Sequence, residues 1–400
     1  MRGPSCSSAG RRTSSLTWES LRESCETCPS PRNWPSFRGW ITSGWEGKKR
    51  WAREWGNSSP GPWSGKAVRR SDPGGPPRPG GAKEIFMEYP WTRFFHLGVV
   101  IPAFFPEARE RKRTALDITR RLAGDPFFQA LEVFGADDPR DREEMARVLR
   151  SSGKRLIFSG GAYCRRTQSN LHDLDPVRWE RAVGNVKKII DEAVLYGCQI
   201  LYLMGFEAPP AEKREKARKR FAEALEVLGD YAAEKNPSDP LTLSVENFYI
   251  AQEDPFLIGP TLECARMLRD LRGKRPRLGL TFDTSHILQL QEDLHQTFSR
   301  VQDVVAHVHL SNCLIRDRSS PFYGDKHPPY GLPGSEIGIP ELAGFFRTLR
   351  QQGTFSRVFP TGKPVLSLEV LTPAGRTPQD ALEEAKDSLE KAWEEFAKTA

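Results

Sequence analysis

From residue 91 onward the chain alternates short apolar runs with longer amphipathic stretches, and that alternation constrains its fold more than any other feature. Eight runs stand out: RFFHLGVVI at 93–101, FQALEVF at 128–134, KRLIF at 154–158, QILYLM at 199–204, LTLSVE at 241–246, RLGLTFD at 277–283, DVVAHVHL at 303–310 and PVLSLE at 364–369. Each has the length and composition of a buried strand. Between them lie helical patterns, clearest at 176–196, 210–234 and 377–398. The first of these is predicted to start on Asp175 as N-cap with Pro176 in its first turn, and to end at Gly197.

Strands that alternate with helices build a parallel sheet, because parallel neighbours need a long crossover. Eight such units over residues 89–400 match the size of a (β/α)₈ TIM barrel. The competing doubly wound sheet usually carries a glycine-rich phosphate loop after its first strand, and the IPAFFPEA stretch after residue 100 is not one.

Residues 1–88 read as a separate N-terminal extension, either disordered or translated ahead of a true start at Met87. Residues 1–86 hold 22 Gly+Pro and seven of the ten tryptophans, with no strand or helix periodicity. Interleaved aromatic and basic residues such as GWEGKKRWAREWG can stack nucleobases, which is the functional alternative for this segment. The segment also carries the charge. It has 15 Lys+Arg against 7 Asp+Glu, which leaves 44 basic and 45 acidic residues for the remainder. The barrel is therefore neutral, and a nucleic-acid partner is not expected for it. No stretch approaches the roughly 18 apolar residues of a membrane helix, and the first thirty residues lack a signal-peptide core. Seven irregularly spaced cysteines fit a reducing cytoplasm better than a disulfide framework, and Cys25-x-x-Cys28 lacks the further ligands of a zinc site.

In a TIM barrel, active sites form at the C-terminal ends of the strands. Here strand five ends at Glu246, strand six at Asp283, strand seven carries His307 and His309, and strand eight ends at Glu369. One strand-end acid is commonly a helix cap or an ion-pair partner. Four consecutive staves ending in Glu, Asp or His would repel and desolvate one another unless a cation neutralised them. Three carboxylates and an imidazole suit one divalent cation, Mn²⁺, Mg²⁺ or Co²⁺ ahead of Zn²⁺. His286, three residues past Asp283, and the Asp325-x-His327 pair in the long loop after strand seven are placed at the same cavity for substrate or a second metal. Glu132 from strand two joins them. His307 is assigned to the strand face opposite His309 and to a structural role. Tyr163, Arg165, Arg166, Arg316 and Lys326 are candidates for substrate specificity.

The fragments SVEN, FDTSH, HVHLSN, GDKHPPYGLPGSEIG and SLEV, in this order and at these strand positions, resemble the xylose isomerase-like TIM barrels, sugar isomerases and epimerases related to apurinic endonuclease IV. The resemblance spans residues 92–398. It implies that Glu246, Asp283, His309 and Glu369 hold one divalent metal, and that Glu246 and Glu369 work as an acid/base pair on a small-molecule sugar or sugar phosphate. Related outcomes are dehydration of a keto-polyol, phosphodiester hydrolysis, or a barrel without catalysis. The endonuclease branch needs histidines at the ends of strands three and four, where this chain has LIFSGG and YLMGF. Homo-oligomerisation is left open.

Overall fold

The computed structural model describes residues 89–248 and 256–399. The extension assigned to residues 1–88, with its tryptophans and Cys25-x-x-Cys28, lies outside the described residues.

The eight expected strands all form: β1 (His96–Val100), β2 (Ala130–Val133), β3 (Arg155–Ser159), β4 (Ile200–Met204), β5 (Thr242–Glu246), β6 (Leu278–Asp283), β7 (Val305–Ser311) and β8 (Val365–Glu369). They pair in parallel in chain order, and β8 returns to β1 with His96 opposite Val365, so the sheet closes into a barrel. Side-chain alternation divides each strand between two environments. Leu97, Val99, Leu131, Val133, Leu201, Leu203, Leu366 and Leu368 belong to the main core packed with the helices. Ala130, Ile157, Ile200 and Val365 form a separate apolar plug. Two residues further along those same strands come Glu132, Ser159, Tyr202 and Ser367, which place a polar layer on top of the plug.

Local signals set the helices. Asp175 caps Pro176–Tyr196 by accepting from Arg178 N at 2.9 Å, and Gly197 closes it in the left-handed region at φ 82°. The pattern at 210–234 resolves into a 3₁₀ turn, Ala211–Lys213, followed by the helix Arg214–Lys235. Pro210 is held extended, at ψ 147°, so the α-helix starts only after it. The C-terminal helix Pro378–Lys398 is capped by Thr377. Its Trp393 packs against Phe95 at 5.7 Å, Phe346 at 5.8 Å and Phe396 at 4.9 Å between ring centroids, fastening the last helix to the first strand's approach.

One orientation differs from the sequence reading. His307 and His309 are two residues apart, and a period of two puts them on the same face rather than opposite faces. Both rings lie inside the barrel, 4.6 Å apart and nearly perpendicular.

Candidate metal centre and cavity

Strand register decides which ends meet. Asp283 pairs opposite His309, Ser311 opposite Glu369, and Glu246 opposite Thr281. As a result one ligand atom from each of Glu246, Asp283, His309 and Glu369 lies within 4.8 Å of the others. His309 Nδ1 is the hub, 2.8 Å from Glu246 Oε1, 2.9 Å from Glu369 Oε2 and 3.7 Å from Asp283 Oδ2. A ring nitrogen carries at most one proton, aimed in one direction, so it satisfies only one of these three oxygens. The bond it makes is to Glu246. Asp283 Oδ2 and Glu369 Oε2 are buried with no hydrogen-bond partner in the protein. Leaving charged acceptors in that condition is costly, and a divalent cation at the common point removes the cost. The residues therefore fit an oxygen-rich site with one imidazole.

The remaining polar atoms of Asp283 and His309 are tied down. Asp283 Oδ1 accepts from Ser285 N at 2.8 Å, His286 N at 2.9 Å and Ser311 Oγ at 2.6 Å, which caps the helix Thr284–Gln289 and leaves Oδ2 facing the hub. His309 Nε2 lies 3.0 Å from Glu132 Oε2, and Ser159 Oγ donates to Glu132 Oε1 at 2.7 Å. His307 Nε2 bonds with Ser367 Oγ at 2.9 Å.

A second cluster stands beside the first. Asp325 Oδ1 is 3.1 Å from His286 Nε2 and 3.0 Å from His327 Nε2, while His286 Nδ1 reaches the Asn247 carbonyl at 3.1 Å. His327 takes a left-handed φ of 35°, a conformation that costs roughly 1–2 kcal/mol for an L-residue. Its carbonyl accepts from Leu371 N at 3.0 Å, which anchors the long loop over the end of β8.

The electrostatics follow from crowding in a dry interior. Burial pushes Glu246 up to about 7, against the pull of His309. Asp283 is held well below the usual carboxylate range by His286, His327 and His309, although burial opposes them. Against burial, Asp283 and Asp325 raise His286 to about 10, and Asp325 with Glu369 raises His327 to about 9. His307, buried and beside His309, is lowered far below an ordinary imidazole.

Glu246, Glu369, His286, Asp325 and His327 line a cavity of about 970 Å³ at this end of the barrel. Of the expected specificity residues, Arg165 and Lys326 line it too. The other three are engaged elsewhere: Tyr163 lies under the Arg111 guanidinium at 5.3 Å, Arg166 pairs with Asp137 and Arg316 pairs with Glu336. Arg165 pairs with Glu207 at 2.7 Å and lies 4.8 Å over the rings of both Phe206 and Phe256. Sequence reasoning missed Tyr202, Phe248, Phe256 and Gln289 in the wall. Tyr202 was within reach, since alternation along β4 turns it inward. It stands edge-on to His309 at 5.4 Å. Phe248, stacked on Phe256 at 4.9 Å and 4.4 Å from His286, belongs to a loop that carries no such period.

Residues 123–392 match the family described as xylose isomerase-like TIM barrel, and the chain belongs to that family. The fold is similar to that of a 3-keto-D-glucoside 4-epimerase from E. coli, with TM-score 0.53 and 17% identity over 75% of this chain and 99% of that one. It is similar as well to an L-ribulose 3-epimerase, with TM-score 0.55 and 16% identity over 76% and 98% of the two chains. The IolI protein, solved with a zinc atom bound, aligns with TM-score 0.56 and 13% identity over 76% of this chain and 99% of that one. No curated protein matches the sequence. Among the described residues no helix is long and apolar enough to cross a membrane.

Proposed function

We propose that this barrel is a divalent-cation-dependent isomerase or epimerase of a sugar or sugar phosphate, acting by proton transfer at a carbon beside a carbonyl. The observation that carries the reading is the convergence of Glu246, Asp283 and Glu369 on His309 Nδ1, with two buried carboxylate oxygens left unsatisfied, at the floor of a cavity large enough for a sugar. The similarity of the fold to sugar epimerases and to a zinc-bound protein supports it.

Glu246, Asp283, His309 and Glu369 would hold the cation, with Mn²⁺, Mg²⁺ or Co²⁺ favoured by the oxygen-rich donor set. When bound, such an ion stabilises negative charge on a substrate carbonyl and its neighbouring hydroxyl and so acidifies the adjacent C–H. Glu246 and Glu369 both line the cavity, from strands separated by β6 and β7. One takes the proton from carbon and the other returns one, at the same carbon in epimerisation or at its neighbour in isomerisation. A carboxyl that burial pushes toward neutrality is suited to exchange a proton near physiological pH. His286, Asp325 and His327 present polar groups to the hydroxyls of the bound sugar. Phe248 and Phe256 offer an apolar wall that excludes water.

The test is solvent deuterium incorporation into a panel of ketoses, combined with metal analysis of the purified protein. About one divalent cation per chain and exchange beside the carbonyl are expected. Glu246→Gln should lower the exchange rate by roughly 10²–10⁴-fold. Undiminished exchange in that variant would remove the mechanism. The Asp325, His286 and His327 cluster favours a second reading, a multinuclear phosphodiesterase. Two or three zinc ions per chain with cleavage of an abasic-site duplex would support that reading instead.

A further inference from the structure

We infer that Glu132 is a positioning residue that fixes the tautomer and plane of His309, so that the Nδ1 lone pair faces Glu246, Asp283 and Glu369. The inference rests on the cation reading and adds to it a residue below the ligands that a sugar in the cavity does not touch. Glu132 is fully buried and does not line the cavity. Both of its oxygens are engaged, Oε1 by the Ser159 hydroxyl at 2.7 Å and Oε2 by His309 Nε2 at 3.0 Å.

The direction of that second bond follows from chemistry. An ionised carboxylate only accepts, so Nε2 must carry the proton. Nδ1 is the nitrogen that bonds to Glu246, and once its proton leaves, Nε2–H is the sole N–H and Nδ1 presents a lone pair. Nδ1 is the nitrogen surrounded by three carboxylate oxygens within 3.7 Å. The partner that fixes the far nitrogen of a metal-binding histidine is worth about 10–100-fold in affinity.

Its neighbours keep the pair from rearranging. His307 Nε2 is 3.7 Å from the same Glu132 oxygen but bonds to Ser367 Oγ at 2.9 Å. Ser367 depends in turn on Gly98, where an added Cβ would lie 2.5 Å from its hydroxyl oxygen. The edge-on Tyr202 ring braces the His309 plane from the side. Gly161 makes room for that ring, since a Cβ there would fall 2.6 Å from it.

The test uses Zn²⁺ as the probe, with affinity read by competition against a chromophoric chelator. The His309 tautomer is read by long-range ¹H–¹⁵N correlation in the Zn²⁺-loaded protein. The wild type should show Nε2 protonated and Nδ1 ligated. Glu132→Gln keeps the volume and should weaken Zn²⁺ binding 10–100-fold, with a shifted Nε2–H resonance, while secondary structure stays unchanged. Glu132→Asp keeps the charge but withdraws it, and should fall between the two, which also covers failure of the glutamine variant to fold. Tight Zn²⁺ binding by the wild type together with affinity within twofold in a folded variant overturns the role of Glu132 alone. A wild type that binds no Zn²⁺ overturns the cation reading and this inference together.

Discussion

His172 shows how one side chain can tie stability to pH away from the site. It is 3% exposed, its Nε2 accepts from Phe206 N at 3.1 Å, and burial lowers it to about 4. The folded state therefore binds this proton less readily than the unfolded chain, whose histidine titrates at about 6.5. Stability from this group is complete above pH 6.5, drains as pH falls from 6.5 to 4, and changes little below that. Between pH 7 and pH 5 the loss is about 2 kcal/mol. Urea denaturation at the two pH values should show His172→Gln losing about that much less than the wild type. An equal loss in both would assign the pH dependence elsewhere. At the candidate site, the identities of Glu246, Asp283, His309 and Glu369 were legible because inward-facing strand ends must be reconciled with burial. Their separations were not legible. Glu132 could be seen as a strand-end acid, but its place beneath His309 depends on β2 and β7 facing one another across the barrel, a relation that no local pattern encodes.

At the scale of elements, caps carried the information. Asp175, Pro176 and Gly197 mark both ends of the helix Pro176–Tyr196 in the sequence, and the structure places it between the same residues. Capping depends only on neighbouring backbone N–H and C=O groups, so it can be read without a tertiary context. The closure of the barrel is different. Trp393 is 6% exposed and, with Phe396 on its own helix, joins Phe95 before β1 to Phe346 on the helix Ile339–Gln351. Trp393→Ala is expected to cost about 3–5 kcal/mol, read as a lower denaturant midpoint with an unchanged slope. A loss below about 1 kcal/mol would mean that the β1–β8 ladder closes the barrel without this clasp. The long loop after β7 was recognised from its length, and the structure shows what it delivers: Asp325 and His327, brought to His286 on the segment after β6.

At the scale of the whole barrel, a nearly neutral body keeps a store of buried charge at one end. Residues 87–400 balance 44 basic against 45 acidic groups, yet Glu132, Asp283 and His309 are all fully buried. On the proposed cation reading, such a cluster would make the folded state hold the ion far better than the unfolded chain does. Adding Mn²⁺ to metal-free protein at about 100 times its Kd should stabilise the fold by about 2.7 kcal/mol, a rise in Tm on the order of 5 °C. Calorimetry with and without the ion checks it, and an unchanged Tm for Mn²⁺, Mg²⁺, Co²⁺ and Zn²⁺ alike would remove the cation from the account.

By itself the sequence determined the number and order of the strands, the caps of the helix Pro176–Tyr196, and the residue types at the strand ends, because alternation and capping act over a few neighbouring residues. Register and closure belonged to the tertiary structure. They decided that His307 shares a face with His309, that Glu132 lies behind its ring, and that three carboxylates surround one nitrogen. Those relations join strands far apart in the chain, and only the geometry of a closed sheet brings them within a few ångströms.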